Sequence, residues 1–491
     1  MLTYNLDKTK SVPLYEQLYL AIKDAITSES LTANEKLPSK RSLSKQLSIS
    51  VLTVENAYSQ LQSEGFIYSL PQKGFYVSDL PEIKTYEENR KSVGKSGEQK
   101  RNSKQNSAVN NSDGTTVLKK EYFADFTSNA TDPTSFPFTT WAKLSRKILS
   151  EEQELLMKNS PSNGLLELRT AIARYLSDFR GMDVDPDNMI IGAGTEAMFG
   201  ILIYILGNKR KYACEDPGYE KIPKIFGANQ VSFSRIPIDK KGVRTNVLEK
   251  EKVDVVHVTP SHHFPTGITM PISRRRELLS WANNNTAVSE KNSWRFNEES
   301  ELDRYIIEDD YDSEFRHSGL PIPALYSIDT NDRVIYMNTF TKSLASTIRI
   351  SYMILPEHLA REYHERLSFM ACTVSTFEQL TLARFISEGY YEKHINRMRT
   401  ASRKKRDMLL TAIRQSRLGA ISEISEEGAG LHFLLKVQTK KSDDKIISKL
   451  DEMGVRISTV EPGCFMINYS SIPIDRIEEA VDRMVATFGR E

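Results

Sequence analysis

Apolar positions in the first eighty residues recur at helical spacing and then switch to alternation. In PLYEQLYLAIKDAI, Leu14, Leu18, Ala21, Ile22 and Ala25 fall three or four apart, which predicts an amphipathic helix. In LPSKRSLSKQL, Ser39 follows Pro38 and is placed to cap a short helix carrying Leu43 and Leu47. Ser50 is placed to cap the next helix, in SISVLTVENAYSQLQSEGF, where Val54, Ala57, Tyr58 and Leu61 make one stripe. Two short helices joined this closely predict a helix-turn-helix. After Gly65 the period falls to two in FIYSLPQKGFYVSDL, a strand–turn–strand with Lys73 at its tip. Residues 1–80 thus read as a winged helix-turn-helix.

The pattern then disappears. ENRKSVGKSGEQKRNSKQNSAVNNSDG is almost without apolar residues, so 81–120 is expected to be a flexible linker. A coil of about 40 residues spans roughly 30–40 Å, enough for a small domain to reposition beside a large one. From 121 to 491 short apolar runs alternate with helical patterns. NMIIGAG, KYACED, VSFSRIPI, VDVVHVTP, YIIEDDY, RVIYMNTF and RISYMILP read as buried strands. Such alternation predicts an α/β domain with a mainly parallel sheet, so the whole chain is an α+β multidomain protein. NNNTAVSEKNSWRFNEESELD, from Asn283 to Asp303, reads as a surface insertion.

Composition narrows the function. The 491 residues carry 66 Lys and Arg against 65 Asp and Glu, so no global basic excess announces a nucleic-acid partner. Three scattered cysteines, Cys214, Cys372 and Cys464, form neither a disulfide framework nor a metal-ligand spacing. No run approaches the ~18 apolar residues of a membrane helix, and no signal core opens the chain, so a cytoplasmic location is expected.

The case for DNA is local. Ser39, Lys40, Arg41, Ser50, Thr53 and Asn56 gather hydroxyl, cationic and amide groups at helix N-termini, and such groups meet phosphates and base edges in a major groove. Lys73 is placed to reach an adjacent phosphate. A helical protein–protein module is the plainer alternative, and this chemistry argues against it. PLYEQL, LPSKRSLSKQLSISVLTVENAYSQLQSEGF and GFYV resemble the winged-helix domain of the GntR family of bacterial regulators. The family often has Arg after the position of Ser50. Val51 stands there instead, able to touch a thymine methyl but not to grip guanine.

In the large domain, chemistry collects where strands end. Lys342 follows RVIYMNTF, flanked by Thr339 and Thr341, with Arg349 beyond. Asp309 and Tyr311 close YIIEDDY, where a carboxylate could keep a heterocyclic nitrogen protonated and a phenol could bond a ring hydroxyl. Gly194, Thr195 and Glu196 in GAGTEAM lead from strand into helix, a turn suited to a phosphate that Arg349 could also hold. This constellation resembles fold-type I pyridoxal-phosphate enzymes, the aspartate aminotransferase superfamily. With the winged helix in front, the chain resembles the MocR-type regulators of the GntR family.

The resemblance implies pyridoxal 5'-phosphate as cofactor and Lys342 as the lysine of the internal aldimine. It pairs Asp309 with the pyridine nitrogen and Tyr311 with the phenolic oxygen. Gly194, Thr195, Glu196, Thr339, Thr341 and Arg349 would surround the phosphate, and Tyr219 would stack on the ring. The superfamily's usual Asn before Pro-Thr-Gly is Phe264 here, which leaves His262 or His263 to replace its contact. Lys221 stands where the GABA-responsive branch has a ligand-holding Arg, and Asn159 where many relatives place a Tyr that reaches the partner's phosphate. EPGCFMINYSS lacks the transaminase Arg that holds a substrate carboxylate, with Arg456 as the nearest candidate. These departures favour sensing over turnover. The expected protein is a homodimeric regulator that binds operator DNA and senses pyridoxal phosphate to control vitamin B6 metabolism. The alternatives are a regulator of amino-acid or amine catabolism with an amino-acid effector, and an active aminotransferase with an accessory DNA-binding domain. No metal is expected.

Overall fold

Three helices and a hairpin account for the N-terminal unit in a computed structural model, which describes residues 6, 12–28, 30–63, 66–70, 73–78, 121–128, 132–283, 303–316 and 323–488. The helices are Leu14–Thr27, Lys40–Leu47 and Val51–Ser63, and the strands are β1 (Ile67–Leu70) and antiparallel β2 (Gly74–Val77). Ser39 Oγ accepts from the amide of Ser42 at 3.2 Å and Ser50 Oγ from that of Thr53 at 3.0 Å, so each serine starts its helix. Leu18, Ile22, Leu43, Val54, Ala57, Tyr58, Leu61, Ile67 and Val77 meet in one core. Tyr58 adds a hydroxyl that donates to Pro38 O at 2.9 Å, fixing the approach to the second helix.

The chain divides into two compact units between Thr115 and Thr116. The expected linker, 81–120, lies outside the described residues, as does 284–302 of the expected insertion.

The second unit is built on an eight-stranded sheet. After β3 (Ala124–Asp125) come β4 (Met189–Gly192), β5 (Tyr212–Asp216), β6 (Phe233–Asp239), β7 (Gly242–Val243), β8 (Val255–Val258), β9 (Tyr305–Asp309), β10 (Val334–Thr339) and β11 (Ser351–Ile354). Their order across the sheet is β4-β11-β10-β9-β8-β5-β6-β7. Every strand read from the sequence lies in it. The run β10-β9-β8-β5-β6 is parallel, whereas β11 is antiparallel to both neighbours and β7 turns back along β6. Alternate residues serve opposite layers: Ile190, Ile335 and Met353 pack in one core, Ile191, Tyr336 and Tyr352 in another.

One expectation is corrected. VSFSRIPI is not buried on both faces, since β6 buries only Ile236. Among the described residues only the two-residue β7 lies beyond it, which leaves most of its side chains near the sheet's edge.

A second sheet, not foreseen, follows the long helix Tyr390–Gln415. It orders β12 (Ser422–Ser425), β13 (His432–Val437), β16 (Cys464–Asn468) and β15 (Ser458–Glu461), all antiparallel. The short β14 (Val455–Arg456) pairs instead with β3. Leu409, Phe433, Phe465, Ile467 and Met484 lie in this region's own core.

Candidate cofactor and DNA-binding sites

Register explains why residues far apart in sequence share one edge of the large sheet. Ser351, at the start of antiparallel β11, is opposite both Gly192 at the end of β4 and Thr339 at the end of β10. Asp309 ends β9, opposite Met337. The turn after β4, the turn holding Lys342 and the segment after β9 therefore open on the same side.

At the first turn, Gly194 precedes the helix Thr195–Leu206 with φ of 93°, a conformation that favours glycine. A Cβ there would lie 2.1 Å from Arg349 Nη2. Arg349 itself holds φ at 53°, and such strain in a non-glycine residue costs about 1–3 kcal/mol. Its guanidinium donates to Glu196 Oε2 at 2.9 Å and to Ala193 O at 3.3 Å. Lys221 closes on the other carboxylate oxygen of Glu196. Partial burial pushes the Glu196 carboxyl up, but Lys221, Glu196's own backbone amide and Arg349 outweigh it and hold it at about 2. Glu196 thus stands at the expected phosphate locus as a carboxylate, able to give a phosphate its backbone N–H but not its side chain. Thr339 Oγ1 is 2.7 Å from Thr341 Oγ1 and accepts from Ser351 Oγ at 2.9 Å.

Lys342 follows this threonine pair. His394 Nε2 lies 2.7 Å from Ser343 O, and the Tyr391 hydroxyl donates to Ser343 Oγ at 2.9 Å, so the helix Tyr390–Gln415 pins the lysine turn. Burial lowers the Lys342 ammonium to about 8, against the opposing pull of the Asp312 carboxylate. A cavity of about 540 Å3 opens beside it, lined among others by Arg397, Lys405, Asp132 and Ser402.

Past β9, Asp309 Oδ2 lies 3.3 Å from His257 Nε2. The Tyr311 hydroxyl is 3.3 Å from His262 Nδ1, which lies 2.7 Å from Asp312 Oδ2. Burial and the charges of Asp312 and Asp309 push the Tyr311 phenol well up. His262 Nε2 is buried and has no hydrogen-bond partner among the described residues. The neighbouring His263 turns elsewhere: Nδ1 is 2.7 Å from Thr266 Oγ1 and Nε2 is 3.4 Å from Glu215. Of the two histidines, His262 is the one brought to Tyr311. Tyr219 is 38% exposed and meets Phe264 edge-on, their ring centroids 5.8 Å apart.

Two residues absent from the sequence expectation contact the candidate site residues. His257 occupies the penultimate position of β8, and Asp312 follows Tyr311. The strand-end rule that found Asp309 could have found His257. Arg456 lies 3.8 Å from Asp125 and over the Tyr122 ring, tying the short strands together. β16 offers no cation at all. Among the described residues no group of three or more His, Cys, Asp or Glu is placed to hold a metal ion.

In the N-terminal unit, Ser39, Arg41, Ser50, Val51, Asn56 and Lys73 are exposed, and Lys40 and Thr53 are half-buried. Lys40 is tied down by Glu55 at 2.7 Å and lies over the Phe75 ring. Leu52, which the sequence reading passed over, is 64% exposed beside Val51 at the start of the third helix. Among the described residues no helix is long and apolar enough to cross a membrane.

Comparison with known proteins agrees with this division. Residues 14–77 match the bacterial regulatory proteins of the gntR family, and residues 124–289 match aminotransferase class I and II. YdeL, an HTH-type transcriptional regulator of Bacillus subtilis, is 38% identical over 93% of this chain and 90% of its own. The probable rhizopine catabolism regulatory protein MocR of Rhizobium meliloti is 28% identical over 98% of this chain and 95% of its own. PdxR, a pyridoxine biosynthesis transcriptional regulator of Corynebacterium glutamicum, is 27% identical over 90% of this chain and 87% of its own. The fold of Pyrococcus horikoshii kynurenine aminotransferase, crystallised with PMP, matches with a TM-score of 0.62 at 22% identity, covering 76% of this chain and 91% of that one. The chain belongs to the MocR-type branch of the GntR transcriptional regulators, with a helix-turn-helix and an aminotransferase-like domain in one polypeptide.

Proposed function

We infer that this regulator binds pyridoxal 5'-phosphate in its large domain and uses the cofactor itself as the signal for vitamin B6 metabolism. The observation that carries the reading is Lys342, whose amine burial lowers to about 8 at the sheet edge it shares with the turn of Gly194–Glu196 and with Asp309 and Tyr311. The cofactor supplies an aldehyde that condenses with a lysine amine. This chain's residues do the rest. The backbone at Gly194–Glu196, with Thr339, Thr341 and Arg349, would bind the phosphate. Asp309, oriented by His257, would hold the pyridine nitrogen protonated. Tyr311 and His262 would take the ring hydroxyl, and Tyr219 would cover the ring. That these residues suit a phosphate is supported by Glu196, whose carboxylate already receives the cations and the helix amide a phosphate would use.

The cation-free β16 supports sensing over transamination, because a substrate carboxylate there would lack a charge-assisted pair worth about 1.5–3 kcal/mol. PdxR, a relative named for pyridoxine biosynthesis, points the same way. A second reading rests on the cavity beside Lys342: Arg397 on its wall would suit the carboxylate of an amino-acid effector, and MocR is named for catabolism. In either case the regulator is proposed to act as a cytoplasmic homodimer on double-stranded operator DNA. Paired helix-turn-helix units match paired half-sites.

Absorption in the near-visible, followed as pyridoxal phosphate is titrated into the full chain and its Lys342→Ala variant, tests the reading. A band in the first and none in the second is expected. A band that then ignores amino acids marks the cofactor as the signal, and one that amino acids bleach favours the second reading. No band at any concentration overturns both.

A further inference from the structure

Glu196 is an odd residue to find among phosphate ligands. Its side chain carries the charge of the ligand, not of a receptor, and it takes up both nearby cations. Arg349 donates to Oε2 at 2.9 Å while Lys221 holds Oε1. The three charged groups are each about 40% exposed, so water and a mobile ligand can reach them. Gly194 packs against the same guanidinium, with Glu196 Oε2 3.2 Å from where its Cβ would lie. Carboxylate, arginine and helix start thus form one closed set within the turn.

We propose that Glu196 is an internal competitor for the phosphate, which must displace its carboxylate from Arg349 and Lys221 before it can bind. The inference rests on the cofactor reading above and concerns how tightly that cofactor is held. Two cations and one carboxylate leave the turn at a net charge of +1. A phosphate dianion would overfill that charge with Glu196 present and match it without. The displacement lowers affinity for the phosphate but leaves the aldehyde's reaction with Lys342 untouched. A regulator that must release its signal gains from such a tether, whereas an enzyme that keeps its cofactor does not. Lys221, at the first turn of the helix Lys221–Ala228, is the second of the two cations for which carboxylate and phosphate compete, so its loss costs the phosphate a partner.

The test titrates pyridoxal phosphate, pyridoxal and inorganic phosphate separately into the full chain and its Glu196→Gln and Lys221→Met variants. Near-visible absorption follows the two aldehydes, and thermal stability follows inorganic phosphate. Glu196→Gln is expected to bind pyridoxal phosphate and inorganic phosphate about three- to tenfold more tightly, the range of a half-exposed ion pair, with pyridoxal unchanged. Lys221→Met is expected to bind both phosphates more weakly by a similar factor. Should Glu196→Gln fold poorly, Glu196→Asp, with its shorter reach, is expected to shift the same way by less. Equal or weaker phosphate binding in the Glu196 variants overturns the proposal and makes Glu196 a support for Arg349. A matching gain for pyridoxal overturns it too, because pyridoxal carries no phosphate. If neither aldehyde gives a band in the unaltered chain, the cofactor reading fails and the inorganic phosphate titration alone decides this one.

Discussion

In the N-terminal unit six of the eight residues proposed to meet DNA stand clear of the core: Ser39, Arg41, Ser50, Val51, Asn56 and Lys73 are exposed, over a single apolar cluster, while Lys40 and Thr53 are half-buried. In the large domain the equivalent residues lie within the packing, with His262 and His263 buried and Asp309, Tyr311 and Lys342 half-buried at the sheet's edge. The two arrangements respond to different variables. The exposed cations Arg41 and Lys73 act through water and counterions, so salt governs them. An amine or phenol drawn into the packing has lost much of its water, so pH and neighbouring charges govern it. Substitutions at the first kind of site should leave the fold alone, and at the second kind should disturb fold and chemistry together.

The strongest way to break this contrast is to attack the small core. Leu18→Ala should cost about 2–5 kcal/mol, comparable to the whole stability of a small domain. Thermal unfolding should then lose the transition of the N-terminal unit, and DNA binding with it, while pyridoxal phosphate still gives its band. Loss of that band would show that the two units do not fold independently.

Gly194→Ala should cost about 1–3 kcal/mol, because alanine is strained at a φ of 93° and its Cβ displaces the Arg349 guanidinium. Chemical denaturation measures the cost, and the preference for pyridoxal phosphate over pyridoxal should fall in parallel. Lost stability with an unchanged preference would take Gly194 out of the phosphate turn.

Next in size is a pH effect. Burial lowers the Lys342 ammonium to about 8, and the neutral amine is the form that attacks an aldehyde. Band formation should therefore accelerate about tenfold between pH 7 and pH 9 and level off above, whereas an ordinary lysine would still be accelerating past pH 10. The Asp312 charge opposes the shift, so Asp312→Asn should move the midpoint lower still. Stopped-flow absorption across that range checks both.

The smallest effects belong to the exposed face. Arg41→Ala should weaken binding to all DNA sequences alike and reduce the salt slope by about one. Val51→Ala should cost less than about 1 kcal/mol, and only on operators with a thymine at that step. Fluorescence anisotropy at several salt concentrations separates the two.

The sequence was most legible where a feature depends on neighbours along the chain. The serine caps and the apolar stripe from Val54 to Leu61 follow from spacings of three or four residues, seven of the eight strands of the large sheet follow from short apolar runs, and the structure has all of these. The edge position of β6 was not legible, because burial on a second face depends on which strand lies beyond. Nor was the small antiparallel sheet, whose pairing of β13 with β16 joins residues some thirty apart. Lys342, Asp309 and Arg349 were proposed from strand ends and resemblance. The pairing of Glu196 with Arg349, 153 positions away, needed the fold, as did His257 beside Asp309.

The helix Tyr390–Gln415 has a mechanical consequence. Its first turns grip the lysine turn through Tyr391 and His394, and its last turns bury Leu409, Leu410 and Ile413 in the core of the C-terminal sheet. At 26 residues it is a strut about 39 Å long. A tilt of about 3° at one end of such a strut moves the other by about 2 Å. A ligand too small to touch the C-terminal sheet thus has leverage over it, with the lysine turn as fulcrum.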